Sequence, residues 1–349
     1  MIRVLRFIPS LATGGAERQL YLLCRHTANS AEHIVVAPWQ EGRWADSLRA
    51  AGVEVRCLHT QLRDPRLIWR MRGEVKRLSP DLVHAWLPSM NLAAALAAFG
   101  HAPVAASVRN VDDWKPWPYR LADRLAAPLW RAVIANSHAG AAHIAQTSGL
   151  PVQTIRVVPN GIEHRDSPPK PVEALRRVFT LCRLVPQKRL DRVLAVARLL
   201  PGLQFRIAGA GPDHARLVSE APGNVVFLGE LRDPSPELDT AGFFLLTSER
   251  EGTSNALLEA MQSGCVPVVT PAGDNARIVM HDLNGRVAET PAGLAAALAT
   301  SASDWTRLSE AARQSAARYT VPAMAEQTLS IYRSLTRKTR ADLLPRMLP

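Results

Sequence analysis

Cysteine is scarce in this sequence: four in 349 residues, Cys24, Cys57, Cys182 and Cys265, far apart and without a C-x-x-C pair. That spacing suggests neither a zinc site nor a disulfide framework, so reduced, mostly buried thiols in a cytoplasmic protein are the expectation. Long apolar runs are missing too. The longest, Leu92 to Phe99, falls far short of the ~18–20 residues that a membrane-spanning helix needs. The opening Met1-Ile-Arg-Val-Leu-Arg-Phe-Ile-Pro9 carries arginines inside its apolar stretch and reads as a first strand, not a signal peptide. Acidic residues are outnumbered, 31 against 42 Lys and Arg, for a formal charge of +11, and Arg is far commoner than Lys. Such a surface attracts phosphates, nucleic acid or an anionic membrane face, and charge alone does not choose among them.

What is present is a globular composition, 47% apolar and 21% charged. Single cores stop growing near ~250–300 residues, so two domains are expected. Short β-rich runs recur with helical patterns between them: Val4–Ile8, His33–Ala37, Val53–Cys57, Asp81–Ala85, Val104–Val108, Ala132–Ala135 and Ile155–Val158. The polar, proline-rich stretch Glu163 to Pro171 then interrupts the pattern. The alternation restarts with Val178–Cys182, Gln204–Ala208, Val225–Leu228, Phe243–Thr247 and Val266–Thr270. Alternating β/α implies mainly parallel sheets covered on both faces, hence an α/β fold of two Rossmann-like, doubly wound halves. The expected organisation is an N-terminal domain over 1–162, a linker over 163–172, a C-terminal domain over 173–322, and a final helix with a basic tail over 323–349 crossing back to the first domain. Ligands of such sheets sit at the carboxyl ends of the strands, which makes a cleft between the halves the expected site.

The most informative segment is Glu251-Gly-Thr-Ser-Asn-Ala-Leu-Leu-Glu-Ala-Met-Gln-Ser-Gly-Cys-Val-Pro-Val-Val269. Thr253 or Ser254 caps a helix whose Leu257, Leu258 and Met261 pack inward and which Gly264 ends. The turn before it leaves backbone N–H groups around Gly252, Thr253, Ser254 and Asn255, a ready anion site. Glu251 in the loop and Glu259 roughly two turns along the helix are acceptor-only carboxylates, suited to a sugar, a ribose and a diphosphate between them. For an isolated Glu pair, solvated surface charges are the commoner explanation. Here the segment resembles the Glu-x7-Glu signature of the retaining GT-B glycosyltransferases of family 4. That resemblance implies GT-B architecture, a nucleoside-diphosphate sugar as co-substrate without a further cofactor, Glu251 at the donor sugar and Glu259 at the ribose hydroxyls.

Other loops carry the same resemblance. Arg183-Leu-Val-Pro-Gln-Lys188 follows the first strand of the second half, where two cations can neutralise a departing diphosphate without a metal. Thr13-Gly-Gly-Ala-Glu-Arg18 is similar to a family loop whose glycine backbone faces the donor phosphate, which makes Gly14 and Gly15 candidates. Gly209-Ala-Gly-Pro212 also resembles the family, although Gly209 and Gly211 serve equally well as packing glycines. His84 ends a strand near the same edge and is either an acid–base group or structural. Many family members place a His where this chain has Arg109-Asn110, and an Arg there suits a phosphate or an acidic acceptor better than base chemistry.

The expected activity is therefore retaining, metal-independent hexosyl transfer to a glycan or lipid-linked acceptor, in bacterial surface-polysaccharide or lipid-linked oligosaccharide assembly. Asp112-Asp113 lacks the spacing of a metal-binding Asp-x-Asp. A sugar-nucleotide epimerase or phosphorylase on the same architecture is the enzymatic alternative. A nucleic-acid-binding protein is the other, disfavoured because no reading module is recognisable. Two basic stretches with aromatics, Arg63 to Arg77 and Trp114 to Arg131, suit either an interfacial helix on an anionic membrane or an ordinary helix packed on the sheet. Attachment to the inner membrane face is open on the same ground.

Overall fold

β-branched and aromatic runs separated by amphipathic stretches build two sheets in the computed structural model, which describes residues 1–12, 14–61, 63–111 and 117–336. Thr13, the Asp112-Asp113 pair, Trp114 to Pro116 and the tail beyond Thr336 lie outside the described residues. The chain divides into two units, Met1–Gly161 with the chain from Val321 onward, and Ile162–Thr320.

The first unit holds seven strands: β1 (Ile2–Phe7), β2 (Ala31–Ala37), β3 (Glu54–Cys57), β4 (Leu82–Ala85), β5 (Val104–Val108), β6 (Ala132–Ala135) and β7 (Ile155–Val157). They pair in the order β3-β2-β1-β4-β5-β6-β7, every pair parallel. Period-two alternation sends Leu5 and Phe7 to one apolar layer and Val4 and Ile8 to the other. The helix Val321–Thr336 completes the second layer with Val321, Met324, Ala325, Leu329 and Tyr332.

The second unit holds β8 (Arg177–Leu181), β9 (Gln204–Ala208), β10 (Val225–Gly229), β11 (Phe243–Leu246), β12 (Val266–Val269) and β13 (Arg286–Val287). Their order is β10-β9-β8-β11-β12-β13, again all parallel. Both sheets thus have the doubly wound α/β architecture that the alternation implies. Strand β13 has no sequence counterpart among the expected runs, because two residues are too few to carry a β-rich pattern.

The linker expected over 163–172 needs correcting. Arg165 grips Asp239 with two hydrogen bonds of 2.8 and 2.6 Å and also donates to Ser263 Oγ at 2.7 Å. Lys170 Nζ donates to the Ala241 carbonyl at 2.7 Å, and Arg313 reaches the carbonyl of Pro168 at 3.2 Å. Proline-rich composition signals the absence of helix and sheet; here it does not signal detachment, and the segment is strapped along the second unit.

The two basic stretches fare differently. Leu67, Met71 and Val75 of the helix Leu67–Leu78 are buried against the sheet, as in an ordinary amphipathic helix. In the helix Trp117–Ala126 only Ala126 is buried, while Trp117, Leu121 and Leu125, four residues apart on one face, are 71%, 45% and 65% exposed. No helix among the described residues is long and apolar enough to cross a membrane.

Candidate functional site

In the second sheet β9 leaves β8 on one side and β12 leaves β11 on the other, so the crevice beyond β8 and β11 is a topological switch point. The loops leaving these two strands carry Arg183–Lys188 and Glu251, and they are stitched together. Thr247 Oγ1 donates to the carbonyls of Lys188 and Arg189, both at 3.0 Å. Gln187 Nε2 reaches the Arg250 carbonyl at 2.8 Å, and the Glu249 N–H reaches the Gln187 carbonyl at 2.9 Å.

Glu251 is buried in this seam, 7% exposed. Its Oε1 accepts from Lys188 Nζ at 2.5 Å and from Ser248 Oγ at 2.7 Å. A carboxylate so buried requires such partners, since an unpaired one is costly. The backbone beneath is equally determined: a Cβ at Gly273, whose φ is +56°, would stand 1.9 Å from the Glu251 carbonyl oxygen. Sequence reasoning named neither Ser248 nor Gly273. Ser248 sits three residues before Glu251 and carried a readable signal; Gly273 did not. An ammonium carries three N–H donors, and among the described residues only Glu251 takes one from Lys188. Arg183 is exposed and, among the described residues, its side chain holds no hydrogen bond or ion pair.

The helix after this loop runs Asn255–Gln262. Ser254 is its N-cap and accepts from the Leu257 N–H at 3.4 Å, while Thr253 is buried beside it. Leu257, Leu258 and Met261 are fully buried, and Gly264 closes the helix at φ +76° with Cys265 N–H on the Ala260 carbonyl. Because the helix begins at Asn255, half-buried Glu259 lies little more than one turn in, closer to the Thr253–Asn255 turn than two turns would place it.

Gly209 and Gly211 have a packing reason. Cβ atoms there would come within 1.8 Å of the Cys182 carbonyl oxygen and 2.2 Å of the Leu184 carbonyl oxygen. Both glycines let their backbone lie against the loop that carries Arg183, with Leu184 N–H on the Ala210 carbonyl at 2.9 Å. Burial pushes the Cys182 thiol in that loop up to about 12, so it is no nucleophile at neutral pH.

The first sheet has its own switch point beyond β1 and β4. Gly14 is the N-cap and Gly15 the first residue of the helix Gly15–Thr27. A Cβ at Gly14 would meet Glu17 Oε2 at 2.1 Å, so this glycine first makes room for a carboxylate of its own helix. Leu87, after β4, takes φ +70°, which is strained backbone for a branched residue.

His84 requires a correction: it is fully buried and offers no free nitrogen to a ligand. Arg6 Nη2 donates to Tyr332 Oη at 3.3 Å, which leaves the Tyr332 hydroxyl proton to donate to His84 Nδ1 at 2.6 Å. His84 Nε2 then donates to Ser107 Oγ at 2.6 Å. Desolvation, with the charges of Arg6 and Arg109, holds this imidazole well below its usual range, so it is neutral and structural. Arg6 Nη1 likewise donates to His33 Nδ1 at 2.8 Å, and burial followed by the Arg6 charge lowers His33 to about 2. Sequence reasoning missed Tyr332 because its partners lie hundreds of residues away. Arg109 stacks on Trp86, its Cζ 3.9 Å from the ring centroid, and donates to Asn160 Oδ1 at 3.4 Å.

A model of Glycosyltransferase Family 4 matches residues 13–166, and one of Glycosyl transferases group 1 matches residues 176–304. Among curated proteins, a phosphatidylinositol N-acetylglucosaminyltransferase subunit of Arabidopsis thaliana is 27% identical over 43% of this chain and 37% of its own. A Vi polysaccharide biosynthesis protein of Salmonella typhi is 25% identical over 59% of this chain and 41% of its own. The chain thus spans about two fifths of the length of these relatives. Among solved structures, Anabaena HepE in complex with UDP-glucose superimposes with a TM-score of 0.83 at 20% identity, covering 96% of this chain and 100% of that one. Sucrose-phosphate synthase from Thermosynechococcus elongatus gives 0.80 at 13% identity, covering 97% and 100%. The motif-bearing loops and both family matches lead to one assignment: the chain belongs to the glycosyltransferases of family 4 and has their GT-B architecture.

Proposed function

We propose that this glycosyltransferase moves a sugar from a nucleoside-diphosphate donor to an acceptor hydroxyl with retention of anomeric configuration, in bacterial surface-polysaccharide or lipid-linked oligosaccharide assembly. The observation that carries the donor half is the Lys188–Glu251 pair beside exposed Arg183 at the second sheet's switch point. Lys188 keeps donors in reserve for a diphosphate, Arg183 adds a second cation, and the Thr253–Asn255 turn presents a helix N-terminus. Glu251 takes hydroxyls of the sugar and Glu259 those of the ribose. HepE, solved with UDP-glucose, and the Vi polysaccharide relative support the donor class and the setting.

In the proposed step the bond from the anomeric carbon to the diphosphate oxygen breaks as the acceptor oxygen bonds to the same face. The departing diphosphate oxygen takes the acceptor's proton, and Arg183 and Lys188 stabilise its charge. No resident cofactor or metal has a part in this step. The test is a panel of sugar nucleotides offered to purified protein, read by thermal shift and donor hydrolysis and then with acceptors. Release of nucleoside diphosphate with a glycosylated, retained product, undiminished by chelator, is expected. Epimerised donor without release would sink the reading.

The exposed Trp117, Leu121 and Leu125 row, with exposed Arg120 and Arg124 beside it, supports attachment to the inner face of an anionic membrane. Co-sedimentation with anionic but not neutral liposomes, lost in high salt, is expected; equal recovery from both would remove this partner.

A further inference from the structure

The most unusual electrostatic feature outside the donor loops is at the carboxyl edge of β5, β6 and β7, which are neighbours in the first sheet. Arg109 leaves β5 there, Asn136 leaves β6, and Asn160 follows β7. Arg109 Nη1 and Asn136 Nδ2 both donate to Asn160 Oδ1, each at 3.4 Å, at the long end of hydrogen bonding. The guanidinium carbon sits 3.9 Å from the ring centroid of fully buried Trp86, and its Nε is buried with no hydrogen-bond partner. Among the described residues no carboxylate pairs with Arg109.

A desolvated guanidinium normally has a carboxylate or phosphate in bidentate contact, because its five donors form a rigid fork. Stacking and one long hydrogen bond to an amide leave most of that capacity unused. Burial lowers Arg109 to about 10, so it is still cationic at neutral pH. We propose that Arg109, oriented by Trp86 and Asn160, binds an oxyanion group of the sugar acceptor, a carboxylate or phosphate near the hydroxyl that is glycosylated. The acceptor assignment rests on the transferase reading above. The hydroxyls of a neutral glycan can accept from the fork but leave its charge unmatched.

The test uses glucuronate, glucose 6-phosphate and uncharged glucose as probes, with UDP in a separate arm, each titrated by thermal shift and ligand-observed NMR. Wild-type protein is expected to bind both anionic sugars and to ignore glucose. Arg109→Gln should weaken the anionic sugars by about 10- to 100-fold, as for lost hydrogen bonds to a charged group, and Arg109→Lys by less. UDP affinity should stay as in wild type. Asn160→Asp places a carboxylate against Arg109 and should suppress anion binding without lowering the melting temperature, so the idea is testable even if Arg109→Gln folds poorly. Equal anion binding by wild type and Arg109→Gln would overturn the proposal. So would a loss of UDP binding in step with glucuronate, which would make the anion that of the nucleotide. Failure of wild type to bind any nucleoside diphosphate would instead defeat the donor reading, while the glucuronate arm still reports on Arg109.

Discussion

The crevice beyond β8 and β11 and the edge beyond β1, β4 and β5 occupy corresponding places in two sheets of like topology, yet their charges are managed in opposite ways. In the second unit a buried acid is matched by a largely covered base, Glu251 by Lys188, with Ser248 on the same oxygen. In the first unit fully buried Arg6 and half-buried Arg109 face neutral histidines, a tyrosine, a tryptophan and an amide. A matched pair stands without a ligand and exchanges partners when one arrives. A cation amid neutral groups is either a structural donor, as Arg6 is through two side-chain bonds, or a group with capacity left over, as Arg109 is.

The largest effect that sharpens this contrast is expected at Lys188. Lys188→Ala strands Glu251, costing about 3–5 kcal/mol of stability, and removes a cation from the leaving group, lowering kcat about 100- to 1000-fold. Adding Glu251→Gln should restore most of the stability and none of the turnover. If the double variant melts no higher than the single, the pair is not what orders the second edge. Next is Gly209→Ala, which meets the Cys182 carbonyl and should cost about 2–4 kcal/mol. Gly202→Ala, where a Cβ meets nothing, is the control and should melt like wild type.

Glu259→Ala should raise the Kd for UDP about tenfold or more through lost hydrogen bonds to a charged group. Unaltered UDP binding in titration calorimetry would remove Glu259 from the ribose. The gentlest probe is pH. His33 and His84 have folded pKa values below that of the unfolded chain, ~6.5. The unfolded state therefore takes up protons first on acidification. Their stabilisation is present above pH ~6.5 and lost as pH falls below it, by up to about 1.4 kcal/mol per pH unit for each histidine. Chemical denaturation at about pH 7 and about pH 5.5 should show it, and His33→Gln should flatten the slope. A slope that ignores this substitution would contradict a neutral buried His33.

The repeating strands and the Glu251–Glu259 helix were legible because they are local: period-two runs, a Ser cap, a glycine stop. Strand β13 was not, being too short to show a pattern, and the 163–172 strap was not, since Arg165 and Lys170 find partners about seventy residues away. His84 shows the same limit. Its place at a strand end suggested chemistry, and only the distant Tyr332 and Ser107 reveal that both nitrogens are occupied. The glycines divide likewise, since Gly209 and Gly211 owe their lack of a side chain to a loop on a neighbouring strand.

The helix Val321–Thr336 also bears on how the chain is made. Translation delivers the first unit's seven strands early and the helix that covers one of its layers last, after the whole second unit. Until Tyr332 leaves the ribosome, Arg6 and His84 each lack one of their two side-chain partners and the apolar layer around Leu20 and Leu23 stays uncovered. The second unit, continuous in sequence, is therefore the first able to fold to completion, and the nascent first unit is the part that exposes an apolar layer longest.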